Sequence, residues 1–130
     1  MRFLFVGVAR SQKAIAMDVT WIDGRLAAKQ LFDALRANGI DPAKQKFVNV
    51  TEPGALDTIQ KYARRRGTWM VVAMGQYVHL QLRGLLDATQ YYRIVHPAAR
   101  GTIRRKENYV EHIRRRIGSW GPAIPARPGR

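Results

Sequence analysis

The sequence contains no cysteine. Disulfides, thiolate zinc centres and cysteine-ligated iron–sulfur clusters are thereby excluded. Acidic residues are also scarce: nine Asp and Glu stand against 23 Lys and Arg in 130 residues, a formal net charge of +14. An excess of that size favours a polyanionic partner, nucleic acid ahead of an acidic membrane surface, over the plain alternative of a basic soluble chain. Long apolar runs are missing as well. Met1 to Val6 is short and soon followed by polar residues, so neither a signal peptide nor a membrane span is expected. The chain carries no P-loop and no dinucleotide fingerprint, and Ser11 sits on no nucleophile elbow. His79, His96 and His112 lie in unrelated contexts, so the expectation is a cytoplasmic protein with neither metal nor cofactor.

What is present is one core's worth of apolar residues, 46% of the chain. Phe3 to Val6 is a continuous apolar run ending at Gly7, the pattern of a strand buried on both faces. The polar stretch from Gly7 to Gly24 reads as a long loop. Ala28, Leu31, Phe32 and Leu35 then recur at helical spacing, and Asn38-Gly39 with Pro42 closes that helix. Phe47 to Val50 reads as a second strand. Thr51 is placed to cap a helix carrying Leu56, Ile59 and Ala63 inward, with Arg64 to Arg66 near its C-terminus. Trp69 to Met74 is a third strand stopped by Gly75; Val78, Leu82 and Leu85 mark the next helix; Tyr91 to Val95 is a fourth strand. A basic helix from about Arg104 to Ile117 buries Tyr109, Ile113 and Ile117. Residues 118–130, with Pro122, Pro125 and Pro128, read as a flexible Pro/Arg-rich tail to a domain of residues 1–117.

Four strand–helix alternations without a hairpin signal predict an α/β fold: a single-domain open parallel four-stranded sheet with helices on both faces. All four strand ends then open on one edge, where ligands bind in such sheets. That edge collects the Gly7–Lys13 loop, Asn49, Met74-Gly75 and His96. Pro97 forces His96 to leave its strand extended, which sets the imidazole at the mouth of the sheet on a stiff turn. Asn49 carries one acceptor and two donors for a base edge, or is a turn asparagine. Trp21 is a stacking platform worth roughly 1–3 kcal/mol per base, or a core tryptophan. Arg10, Ser11, Gln12 and Lys13 either hold phosphate or belong to an ordinary solvated loop. Arg100, Arg104, Arg105 and Lys106 beyond His96 read as phosphate contacts ahead of a solvated helix face, because they flank the strand-end site.

From Phe3 to Ile117 the chain resembles the uracil-DNA glycosylase superfamily, especially its small bacterial members. Phe3-Leu4-Phe5-Val6-Gly7-Val8-Ala9 looks like the first motif, a strand entering the water-activating loop. Trp21-Ile22-Asp23-Gly24-Arg25 looks like the segment whose aromatic stacks on the base. Phe47-Val48-Asn49-Val50 is similar to the strand ending in the base-reading asparagine, and Val71-Val72-Ala73-Met74-Gly75 to the strand closing on a glycine. Ile94-Val95-His96-Pro97-Ala98 resembles the second catalytic motif. The resemblance implies a base pocket of Ala9, Trp21 and Asn49, with His96 stabilising the departing base.

This chain departs from the family pattern at Val8, Ala9 and Arg10, where an acid or asparagine followed by proline ordinarily positions water; Asp18 or Asp23 would have to substitute. Ala98-Ala99-Arg100-Gly101 offers no bulky wedge for the DNA stack. The resulting expectation is a DNA N-glycosylase, monomeric, acting on single- or double-stranded DNA. Its alternative is a catalytically silent DNA-binding module, and a third reading is a phosphate- or nucleotide-binding protein unrelated to DNA.

Overall fold

The computed structural model describes residues 2–120. The first apolar run forms a strand, Arg2–Gly7 (β1), whose residues from Phe3 onward are all buried. A helix of one and a half turns, Gln12–Met17 (α1), and a 3-10 turn at Trp21–Asp23 lead to the amphipathic helix Ala27–Ala37 (α2). After a 3-10 turn at Pro42–Lys44 come the strand Lys46–Asn49 (β2) and the helix Ala55–Ala63 (α3). The strand Trp69–Met74 (β3), the helix Gln76–Arg83 (α4) and the strand Tyr91–Ile94 (β4) follow. A 3-10 turn at Thr102–Arg104 precedes the last helix, Lys106–Trp120 (α5).

The four strands are parallel, in the order β2-β1-β3-β4. Alternation along each strand sorts the core into two layers. Phe3, Phe5, Met70, Val72 and Ile94 face a layer built from Leu31, Phe32 and Leu35 of α2 and Tyr109, Ile113 and Ile117 of α5. Leu4, Val6, Val48, Val71 and Ala73 face Ile59 and Ala63 of α3 and Val78 and Leu82 of α4. Burying each Leu, Ile, Val or Phe contributes about 1.5–3 kcal/mol, so both layers are needed to hold the sheet closed to water. Gln45 supplements the ladder from a side chain: its Oε1 accepts the Phe3 N–H at 2.7 Å and its Nε2 donates to the Asp41 carbonyl at 3.0 Å.

Several local expectations are corrected. The stretch after Gly7 is not a continuous loop, because Ser11 caps α1 by accepting the Ala14 N–H at 3.1 Å. Thr51 caps no helix. Its hydroxyl donates to the Val8 carbonyl at 2.8 Å, and α3 begins beyond Gly54, whose φ of +76° suits glycine. Leu56 is exposed, and Ala55 takes the inward place, since Ala55, Ile59 and Ala63 form the stripe at i, i+4 and i+8. Beyond α4 it is Leu86 that is buried, while Leu85 is half-buried against the same layer. The final helix starts at Lys106 and runs to Trp120, three residues into the stretch read as tail. The remainder of that stretch, with all three of its prolines, lies outside the described residues. No helix among the described residues is long and apolar enough to cross a membrane.

Candidate functional site

The parallel register pairs Gly7 with Asn49 and Met74 with Ile94, so the four strands end on a common edge. Close approach there explains two glycines. A Cβ on Gly7 would stand 2.6 Å from Asn49 Oδ1 and 3.2 Å from the Trp21 ring, inside contact distance of both. Gly75, at φ +95°, lets the chain turn from β3 into α4 against His96; a Cβ there would lie 3.3 Å from the His96 Cβ. Asn49 and His96 are thus drawn to one rim by backbone geometry, although Asn49 ends one edge strand and His96 follows the other.

Asn49 is only 2% exposed. Its side-chain oxygen accepts the Trp21 Nε1–H at 2.9 Å. An indole nitrogen only donates, which settles the orientation of the amide: the oxygen faces Trp21. The Asn49 backbone N–H donates to the Glu52 carboxylate at 3.1 Å. The half-buried Trp21 ring stacks on Phe47, with centroids 6.2 Å apart and planes 15° apart. Phe47 stacks in turn on Phe5, at 5.5 Å and 17°. A column of three aromatic rings therefore runs from the core to the rim. The His96 ring meets the Trp21 ring edge-on at 6.1 Å.

His96 is half-buried, and its Nδ1 accepts the Ala98 N–H at 3.0 Å across the turn made by Pro97. Burial lowers its pKa below that of an ordinary histidine. Both observations favour the neutral imidazole with its proton on Nε2, a hydrogen-bond donor without full charge. The turn is held from behind by α5, where Tyr109 donates its hydroxyl to the Val95 carbonyl at 2.7 Å.

Two hollows meet at this rim. His96 lies in the wall of a pocket of about 240 Å³ together with Ala9, Arg10, Trp21, Arg25 and Ala98. Asn49 lies in the wall of a cleft of about 630 Å³ with Ile22, Phe47, Thr51 and Glu52. Ala9, Arg10, Thr20 and Trp21 line both. A ligand in either hollow meets only one of the two polar groups, because the Trp21 indole occupies the space between them.

The other candidates are dispersed. Arg10 is spent on its own loop: its guanidinium donates to the Val19 carbonyl at 3.3 Å and lies 3.7 Å from the Asp18 carboxylate. Ser11, the cap of α1, and Lys13 both line the smaller pocket, whereas Gln12 is exposed and lines neither hollow. Asp18 is the partner of Arg10, while Asp23 accepts the Thr20 N–H at 2.7 Å, and neither lines a hollow. Arg100, Arg104, Arg105 and Lys106 are all exposed and stand outside both walls. Lys106 is paired with Asp33 of α2 at 3.3 Å. His79 is bonded to the Tyr91 hydroxyl at 3.0 Å and takes no part in the rim.

Two residues escaped sequence reasoning. Phe47 reads from the sequence only as strand, though an aromatic two residues before a strand's C-terminal end is a signal worth using. Glu52 lies three residues after Asn49, the spacing at which a carboxylate closes a turn onto a backbone N–H. Among the described residues, no group of three His, Asp or Glu side chains is placed to hold a metal ion. Comparison of the chain with protein-family models, with curated proteins and with solved structures finds no match.

Proposed function

We propose that the protein draws a base out of DNA into the strand-end site and hydrolyses its N-glycosidic bond, as the resemblance to uracil-DNA glycosylases implies. The observation that carries this reading is His96: a half-buried imidazole at the sheet mouth, with Nδ1 occupied by the Ala98 N–H and Nε2–H left as a donor. When the bond between C1′ and the base nitrogen breaks, its electron pair leaves with the base. A fixed Nε2–H donor stabilises the negative charge that collects on a base carbonyl. Removing one such preorganised donor typically costs about 100–1000-fold in rate. Water then adds to the electron-poor C1′ and releases its proton.

No carboxylate lines the His96 pocket among the described residues, so the water has no strong base beside it. A largely dissociative reaction tolerates that, because the barrier lies in bond breaking, and each 1.36 kcal/mol of leaving-group stabilisation is worth tenfold. The energetic cost of flipping is lowest for a mispaired or unpaired base. In this reading a monomer acts in the cytoplasm on single- or double-stranded DNA, and the +14 charge supplies the phosphate attraction.

The same feature supports a second reading. Ala9 and Arg10 in place of the water-positioning group favour a module that binds DNA without cutting it. End-labelled oligonucleotides containing uracil, hypoxanthine, xanthine or a 5-modified pyrimidine distinguish the two. Abasic sites formed by the natural protein and lost in His96→Ala are the expected result. Tight, salt-sensitive binding with no abasic product on any substrate would leave only the silent module.

A further inference from the structure

Trp21 makes the contacts that a bound heterocycle would make. Its ring is flat and stacks on Phe47 within 15° of parallel. Its one ring N–H points at an amide oxygen that is otherwise almost wholly buried. Its ring meets the imidazole of His96 in a tilted, edge-type contact. Gly7 leaves space for this arrangement, since any side chain there would strike Asn49 and Trp21 together. An ordinary core tryptophan needs none of this: it fills volume and finds any acceptor for its N–H. Here the acceptor is the side chain of a strand-end asparagine opening on a cleft.

The segment that delivers the indole is lightly held. It is a single 3-10 turn, Trp21–Asp23, closed by exposed hydrogen bonds between Thr20 and Asp23. Ile22 at its tip is 76% exposed, so the turn buries little besides Trp21 itself. Both flanks carry unusual backbone. Asp18 (φ +52°) and Leu26 (φ +58°) are the only non-glycine residues with positive φ among the described residues, and Gly24 between them is also positive at +65°. Leu26, with ψ −128°, lies outside the ordinary left-handed well, a strained conformation that surrounding structure must impose. Asp18, at ψ +47°, sits in the ordinary left-handed well as the cap of α1, so the strain is confined to Leu26. A short exposed turn strained on its C-terminal side marks a segment with a second conformation within reach.

We propose that Trp21 is an internal occupant of the ring-binding site formed by Phe47, Asn49 and Gly7, and that a planar heterocycle bearing a ring N–H enters by displacing it. With the indole withdrawn, the 240 Å³ pocket and the 630 Å³ cleft join, and one ligand reaches Asn49 and His96 at once. Phe47, in place of Trp21, becomes the surface on which the ligand stacks. The proposal rests on the proposed site for a flipped base but not on the bond-breaking step. It adds that the resting protein is closed to that base until the Thr20–Gly24 turn opens.

The probes are free indole and free uracil, titrated calorimetrically into the natural protein, Trp21→Ala and Trp21→Phe. Trp21→Ala is expected to bind both probes at least tenfold more tightly than the natural protein, and a further Asn49→Ala substitution to remove at least tenfold of that gain. Trp21→Phe keeps one stacked ring while losing the N–H and the second ring, a smaller cavity than alanine leaves, so it folds where the larger cavity would not be tolerated. It is expected to bind uracil several-fold more tightly than the natural protein. Affinities unchanged in both variants, or a gain indifferent to Asn49, overturn the proposal; so does an unchanged Trp21→Phe if the alanine variant fails to fold. Abasic-site formation on DNA is measured in parallel. Asn49-dependent probe binding without excision by any variant retains the occupant and removes the glycosylase. Excision with unaltered probe affinities does the reverse.

Discussion

His112 on α5 accepts the backbone N–H of Val95 through Nε2, at 2.9 Å. β4 is an edge strand, and the residue after its end has no neighbouring strand to take that N–H. The histidine takes it instead, and Tyr109, one turn earlier on the helix, supplies the donor for the Val95 carbonyl. His96 is the next residue along. The placement of the proposed catalytic group is therefore set by two side chains that do not touch the site.

Only a neutral imidazole can accept through Nε2, and the pKa of His112 is lowered, first by burial and then by Arg116 and Arg115. A depressed folded-state pKa means the unfolded chain binds the proton more readily. The contribution is therefore complete above the ordinary histidine pKa and is lost as pH falls through the folded value. Thermal stability should fall between about pH 7 and pH 5, and the fall should be shallower in His112→Gln. His96 shifts in the same direction, so it contributes to the same window. At neutral pH, His112→Ala should cost about 1 kcal/mol in urea unfolding, because a partly buried N–H loses its acceptor. An unchanged pH profile in the glutamine variant would remove His112 from this role.

Tyr109 is buried and its phenol pKa is pushed up by that burial, so the hydroxyl stays protonated throughout the accessible pH range. Tyr109→Phe removes the bond to Val95 and little volume. The expected loss is about 1 kcal/mol of stability. In the proposed glycosylase reading, excision should lose kcat with little change in KM, since the proposed phosphate contacts lie elsewhere; a purely structural role would leave kcat alone.

Gly7→Ala tests the crowding at the rim. A methyl group 2.6 Å from Asn49 Oδ1 must displace the amide, the indole or β1 itself. Overpacking of this kind costs about 1–3 kcal/mol. The Trp21 fluorescence should change as its hydrogen bond is lost. Wild-type stability and emission in this variant would show that the rim is looser than these distances imply.

The exposed arginines after His96 are tested by salt. Each phosphate contact contributes close to one unit to the slope of log K against log salt. Arg100→Ala and Arg105→Ala should each lower that slope by about one. Lys106→Ala should lower it less, because Lys106 already faces Asp33, whose carboxyl pKa is held down by Lys29 and Lys106. DNA affinity that falls equally in all three variants would contradict this division.

Asn49→Ala leaves the Trp21 N–H without its acceptor in a nearly closed site. About 1–3 kcal/mol of stability should be lost. Preference among the four modified-base oligonucleotides should flatten at the same time. Preference that survives the substitution would end the edge-reading role.

The sheet was legible because parallel strands buried on both faces appear as unbroken apolar runs, as at Phe3–Val6 and Trp69–Met74. Asn49 and His96 could be placed on one edge for the same reason, since parallel topology puts all strand ends together. α1 was not legible: none of its residues is buried, so it carries no hydrophobic period, and only the Ser11 cap announces it. The meeting of Trp21 with Asn49 was also out of reach, because 28 residues separate them and one partner sits in a turn without a pattern. Leu56 misled because leucine weighs more than alanine in any search for an apolar stripe. The true stripe, Ala55, Ile59 and Ala63, needs small residues where α3 lies close to the sheet.

The ring column of Phe5, Phe47 and Trp21 joins the interior of the protein to its rim without an insulating layer. If the proposed site binds a heterocycle, ligand preference and folding stability are written into overlapping residues, and neither can drift freely. A change of ring at Phe47 would be felt inward by Phe5 and Phe32 and outward by whatever lies against Asn49. Altered specificity is therefore expected to arise through paired substitutions, one in the core and one at the mouth, and single exchanges along the column to fail first as folding defects.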